Sequence, residues 1–169
     1  MLEKKKEDIE HLIPPFTVAS AYYLQKEIKS FAHPVKRYSM TAKELTKITD
    51  PKDYGKEIRE YYVRLDDIKL VYEPKNKHDP NAIMVTNHGV KVGYVPAEMC
   101  TEVKKILKKY DIDYIKARTT GGRSKYLIAE NEVEKRNYGI IEIKLYITLK
   151  KKETIFSKAQ DFIKNHNKL

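Results

Sequence analysis

Leu70-Val71-Tyr72-Glu73-Pro74-Lys75-Asn76-Lys77-His78-Asp79-Pro80-Asn81-Ala82-Ile83-Met84-Val85 leads, across Asn87-His88-Gly89, to Lys91-Val92-Gly93-Tyr94-Val95-Pro96. The first part reads as a strand over Ile68 to Tyr72 that runs into a polar loop with two prolines. Ala82 to Val85 and Val90 to Val95 are two further strand-like patches. Gly89 between them is free to take the positive φ of a tight hairpin turn. Pro96 sits where the first turn of a helix tolerates a missing N–H. Asp79 and Asn81 are short polar residues that bond neighbouring backbone and hold loop shape.

Downstream, Met99, Val103, Ile106, Leu107 and Tyr110 recur at helical spacing, with Lys104, Lys105, Lys108 and Lys109 on the other face. That predicts an amphipathic helix over 97–110 with a basic outer side. Ile112 to Thr119 is a further strand, and Gly121-Gly122 a turn. Residues 123–137 are polar and are expected to form an excursion or a long hairpin tip. Ile141, Ile143, Leu145, Ile147 and Leu149 alternate with polar positions and define a strand with one buried face. Ile155, Phe156, Ala159, Phe162 and Ile163 trace a C-terminal helix within 151–169.

Upstream, Tyr61-Tyr62-Val63 is a short strand. Thr41 to Glu44 matches a capping box and starts a helix over about 41–48. Asp50-Pro51 and Gly55 mark a loop. Residues 26–37 have no clear period, and Pro34 interrupts them. Phe16 to Leu24 is rich in β-branched and aromatic residues and reads as a strand. Residues 2–12 suit a charged helix that Pro14-Pro15 ends. The expected architecture is mainly β within an α+β class. It has an internal helix after Gly-Tyr-Val-Pro, an inserted helical segment near 26–56, and one domain over 16–150 between an N-terminal arm (1–15) and the C-terminal helix (151–169). A small, partly open β-barrel suits this element order better than a βαβ sheet.

The 169 residues carry a net charge of +10. Residues 1–90 hold 16 basic and 14 acidic side chains, and residues 91–169 hold 18 and 10. The excess of positive charge therefore sits in the second half, which favours polyanionic partners. No apolar run approaches the ~18 residues of a membrane helix, and no signal-peptide pattern follows Met1, so no membrane partner and a cytoplasmic location are expected. Cys100 is the sole cysteine, which rules out an intrachain disulfide or an all-cysteine metal site.

No phosphate-binding glycine loop, HExxH, CxxC or GxSxG pattern is present. The five histidines lack ligand spacing, and Cys100 reads as structural. Neither a metal nor another cofactor is expected, and the chain reads as non-enzymatic. One constellation imitates a Mg²⁺-dependent nuclease: Asp66 or Asp67 followed by Glu73-Pro74-Lys75. Pro74 argues against it, because such sites place Glu and Lys on one strand and proline removes a ladder bond.

The combined stretch resembles the HIRAN domain family. Its pattern runs from a strand ending in Glu-Pro-x-Asn, through Asp-x-Asn-Ala-Ile-x-Val, to Val-Gly-Tyr-hydrophobic-Pro before a helix. Glu73 to Asn76, Asp79 to Val85 and Val92 to Pro96 carry it in that order. The chain looks like a stand-alone, bacterial-type member. The resemblance implies an OB-like barrel that binds single-stranded DNA at a free 3′ end, in DNA repair or processing, with a protein partner supplying any enzymatic activity. It implies that Tyr22, beside Tyr23, stacks on a terminal base and that Asp79 accepts a bond from the 3′-hydroxyl. It also implies that Tyr94 contacts nucleic acid and that Tyr138 adds an aromatic wall. The usual basic residue before the first-strand tyrosine is Ala21 here. The usual aromatic before the aspartate is His78, and Pro96-Ala97 replaces a later basic residue. Lys75, Lys77, Lys91 or the Lys104–Lys109 face are the candidates to replace the lost phosphate contacts. Nothing in these residues reads a 2′-hydroxyl, so RNA stays open beside DNA. A protein-interaction module docking an acidic partner is the competing reading.

Overall fold

The computed structural model describes residues 12–152. The N-terminal helix expected over 2–12 and the C-terminal helix over 151–169 lie outside those residues but for their inner ends. The described chain is mainly β with short helices, as its pattern of alternating apolar positions requires.

The stretch from residue 68 to 96 forms a three-stranded antiparallel sheet: β5 (Ile68–Tyr72), β6 (Ile83–Asn87) and β7 (Val90–Tyr94), in that order. His88 and Gly89 close the β6–β7 turn at φ 47° and 76°, the two positive values that a two-residue hairpin turn demands. A bulge between Val85 and Thr86 shifts the register of β7. Pro96 stands just ahead of the first turn of a helix, α4 (Ala97–Lys109), rather than inside it. Cys100, Val103 and Ile106 face the core, and Lys105, Lys108 and Lys109 face solvent.

A second three-stranded sheet has the order β1 (Phe16–Thr17), β11 (Glu142–Lys151), β8 (Tyr110–Thr120). In β11 the isoleucines and leucines from 143 to 149 are buried, and Glu142 and Lys144 are exposed. Ile112 and Ile115 in β8 break the period of two. A bulge restores them: the ladder passes from Tyr114 opposite Thr148 to Ile112 opposite Leu149, so Asp113 is the extra residue. Both isoleucines then pack on the main core.

The two sheets meet where Ala19 pairs with Tyr94, N–H to carbonyl in both directions at 2.8 and 3.0 Å. Gly93 makes this approach feasible. A Cβ there would overlap the Val18 Cγ1 and the Ala19 carbonyl oxygen. On the far side, β5 and β8 have unpaired outer edges, and a cleft lined by Ile68, Leu70, Ile112 and Ile115 separates them. The sheets are therefore not closed into a barrel.

The strand expected over Phe16 to Leu24 ends early. Ser20 takes φ 62°, and Ala21–Leu24 form a 3-10 turn that runs into α1 (Gln25–Lys29). Gln25 holds the turn in place. Its side-chain NH₂ donates to the carbonyls of Ala21 (2.9 Å) and Ile141 (2.8 Å), and its Oε1 accepts the Ile141 N–H (3.0 Å). Tertiary bonding thus overrides the β propensity of Tyr22-Tyr23.

The segment near 26–56 builds a second, smaller core. After β2 (Ala32–Pro34) and α2 (Lys36–Ser39) comes α3 (Ala42–Ile48), whose Thr41–Glu44 capping box forms as expected. Leu45 of α3 packs with Ile58 of β3 (Glu57–Arg59) and with Leu127 of β9 (Arg123–Ala129). Strand β4 (Tyr61–Val63) pairs with β2. The polar stretch 123–137 is a true hairpin of β9 and β10 (Glu132–Asn137), and β3 joins its other edge. Lys125 is buried within it. Its ammonium bonds the Met40 carbonyl and lies over the Tyr38 ring, while burial lowers its pKa.

Candidate nucleic-acid interface

The loop between β5 and β6 is organised by its own side chains. Glu73, just after β5, receives the side-chain NH₂ of Asn76 at 2.6 Å. The other end of that amide, Oδ1, accepts the backbone N–H groups of His78 (2.9 Å) and Asp79 (3.1 Å). Asp79 Oδ1 in turn accepts the Asn81 N–H at 2.7 Å. Each step needs a short side chain with an acceptor close to the backbone, which is why Asn and Asp occupy these positions. The backbone of Glu73 donates to the Ala82 carbonyl (3.0 Å), which closes the loop onto β6.

Tyr94 ties this loop to β7. Its hydroxyl donates to Glu73 Oε2 at 2.9 Å and accepts from Lys91 Nζ at 3.0 Å. The Asn76 and Tyr94 bonds hold the Glu73 carboxylate ionised at lower pH than an ordinary glutamate. The Tyr94 hydroxyl does the reverse for Lys91, raising its pKa, and that ammonium also lies 5.1 Å from the ring centre.

Beside this network lies a cleft whose lining includes Ala19, Ser20, Asn76, His78, Asp79 and Tyr94. Three segments far apart in sequence supply them. The floor is apolar, from Ala82, Val95 and Cys100. Cys100 is buried, its thiol lies 3.5 Å from the Pro96 carbonyl oxygen, and burial raises its pKa, which suits an inert thiol. The second carboxylate oxygen of Asp79 has no side-chain or backbone donor among the described residues. Tyr22 and Tyr23 follow Ser20 after one residue, Ala21. They are 66% and 82% exposed, with rings edge to face at 5.2 Å.

The residues expected at the site divide clearly. His78, Asp79 and Tyr94 line the cleft, Tyr22 and Tyr23 stand next to its Ser20 edge, and Lys91 reaches it through Tyr94. Lys75 and Lys77 are exposed on the loop and do not line it. Tyr138 lies beyond the β9–β10 hairpin, bonded to Tyr126 (2.9 Å) and Arg136 (3.4 Å), away from the Asp79 cleft. Of the basic helix face, Lys104 approaches the loop, donating to Asn81 Oδ1 at 3.2 Å and covering the Tyr72 ring. Asn76 and Ser20 were not expected at the site. Asn76 stood inside the motif and its double role was open to inference. Ser20 carried no signal, since only the tertiary turn brings it there.

The nuclease-like constellation is not assembled. Asp66 binds Arg64 (2.6 Å) and His88 (2.7 Å) at one end of β5, and Glu73 is engaged at the other. A strand of five residues, about 17 Å, separates them. No group of three or more His, Cys, Asp or Glu suited to a metal occurs among the described residues. No helix of these residues is long and apolar enough to cross a membrane.

The described residues form a small, mainly β fold with a cleft beside the β5–β6 loop. The HIRAN domain family model matches residues 35–139, and the chain belongs to that family. The HIRAN domain is a DNA-binding module. The matched stretch contains the whole Glu73–Pro96 motif, while β1, Tyr22, Tyr23 and β11 lie outside it. No curated protein and no solved structure matches the chain.

Proposed function

We propose that the chain binds single-stranded DNA in the Asp79 cleft, with the 3′ end inside, as a non-catalytic module in DNA repair or processing. The observation that carries this reading is the convergence of Ser20, His78, Asp79 and Tyr94 on one cleft beside two exposed tyrosines. A base stacks on an aromatic face without regard to sequence, which suits Tyr22 or Tyr23. The unpaired oxygen of Asp79 accepts a hydroxyl hydrogen. It repels a phosphate, and so favours a strand terminus over a continuing chain. The open seam between β5 and β8 supports the view of the fold as a partly open, OB-like barrel. Any catalysis in the process belongs to a protein partner.

Fluorescence anisotropy with strands of about ten nucleotides tests the reading, a length within the usual single-strand footprint. Strands ending in a 3′-hydroxyl are expected to bind more tightly than those ending in a 3′-phosphate. Asp79→Asn is expected to erase most of that preference. Equal affinity for both ends in the wild type removes the end-reading role, and no binding at low salt removes the proposal.

A further inference from the structure

The outward face of the β1–β11–β8 sheet carries a cluster that the Asp79 cleft does not use. Lys144 of β11 stands directly opposite Arg118 of β8, and Lys116 stands opposite Tyr146. Lys116, Arg118 and Lys144 are all exposed. Arg118 and Lys144 approach the Tyr146 ring at 5.4 and 5.8 Å from its centre. Like charges directly opposite in a sheet destabilise it. Among the described residues none of the three has a carboxylate within 4.0 Å. Some other surface cations are paired, as Arg123 with Glu60 and Arg136 with Glu134. What sets this face apart is that its unpaired cations stand directly opposite one another or opposite an aromatic ring. Glu142 stands at one end of this face, opposite Thr120, and Asp111 and Asp113 stand at the other end beside Lys150, so the three cations form the stretch between the carboxylates.

We propose that this sheet face is a second DNA-binding surface, a phosphate track that continues the strand held in the Asp79 cleft. The path between them is short. Thr17 of β1 pairs with Lys144, and Ala19, two residues on, lines the cleft. Side chains two apart on an extended chain share a face and lie about 7 Å apart, roughly one nucleotide step. A strand leaving the cleft over Ala19 therefore arrives at Thr17 and Lys144, with Tyr146 as a stacking face among the cations and Tyr114 just past Lys116. Tyr114 is 60% exposed. Single-strand binders of this kind join a cationic groove to aromatic platforms. This inference rests on the cleft reading for its direction, and on the sheet alone for its charge.

The test is a variant carrying Lys116→Gln, Arg118→Gln and Lys144→Gln, titrated with strands of about 20 and about 4 nucleotides. Three lost phosphate contacts are expected to lower the salt slope for the long strand by about 2. The wild type then loses about 15-fold more affinity than the variant between 50 and 200 mM salt. The short strand, held in the cleft alone, is expected to bind both proteins alike. Lysine acetylation of the wild type gives a readout without mutation: the long strand should protect Lys116 and Lys144 and leave Lys43 and Lys52 reactive. An unchanged salt slope, or Lys116 and Lys144 equally reactive with and without the long strand, overturns the proposal. The end preference of the wild type is a separate measurement. Its absence, with the slope change present, removes the cleft reading and keeps the track.

Discussion

The Tyr94 hydroxyl donates to the Glu73 carboxylate across 2.9 Å and so joins the end of β7 to the end of β5. Two parts of the motif, 21 residues apart, are one hydrogen-bonded unit. The unit holds the loop that presents Asp79. Its acceptor is a carboxylate whose pKa is lowered by Asn76 and Tyr94.

That arrangement sets a pH dependence. A carboxylate with a depressed folded pKa stabilises the fold above its unfolded value and loses that contribution as pH falls through the folded value. For Glu73 the reference value is 4.5, so its contribution is present at neutral pH and fades below that value. Glu44, held by Thr41, and Glu134, held by Arg136, act in the same direction. Urea unfolding midpoints are expected to drop as pH is lowered from about 6 to about 3. Glu73→Gln is expected to be less stable than the wild type at neutral pH, with the gap narrowing on acidification. A gap that stays constant with pH contradicts this role.

Replacing Tyr22 by alanine is expected to weaken single-strand binding by about 1–3 kcal/mol, or roughly 5- to 150-fold, the usual contribution of one stacked base. The ring is 66% exposed, so the thermal midpoint should stay within a degree or two of the wild type. Anisotropy and thermal unfolding on the same sample separate the two effects. A large stability loss with unchanged binding assigns the ring to packing instead.

Gly93→Ala is expected to destabilise the fold by about 1–3 kcal/mol, because part of the clash is with backbone. The new methyl meets the Ala19 carbonyl oxygen as well as Val18. Separation of Ala19 from Tyr94 opens the lip of the cleft, so DNA affinity should fall with stability. Urea unfolding and anisotropy measure both. Wild-type stability in this variant contradicts the close approach.

Leu45→Ala should cost about 2–5 kcal/mol, since the side chain is fully buried against Ile58 and Leu127. That core is separate from the one beneath the cleft. DNA binding by the folded fraction is therefore expected to match the wild type. Denaturant titration with parallel anisotropy checks it, and a loss of affinity in fully folded protein contradicts the independence of the two cores.

The sequence by itself determined the strands from 61 to 95, the helix after Pro96, the capping box at Thr41 and the alternation of β11. Each is a local matter: a period of two or 3.6, a turn residue, a cap. It also carried the motif that marks the family, because Asn76 and Asp79 accept backbone N–H groups two or three residues away and Asn76 donates to Glu73 three residues before it. Tertiary structure decided the rest. Tyr22 and Tyr23 leave the strand that their propensity favours because Gln25 bonds Ile141 from 116 residues away. The polar stretch 123–137 becomes a sheet because the helix carrying Leu45 covers Leu127. The pairing of Lys144 with Arg118 depends on a register that no local pattern specifies. The cleft itself needs Ser20, Asp79 and Tyr94 together, and only the Ala19–Tyr94 pairing across two sheets, made close by Gly93, brings them there.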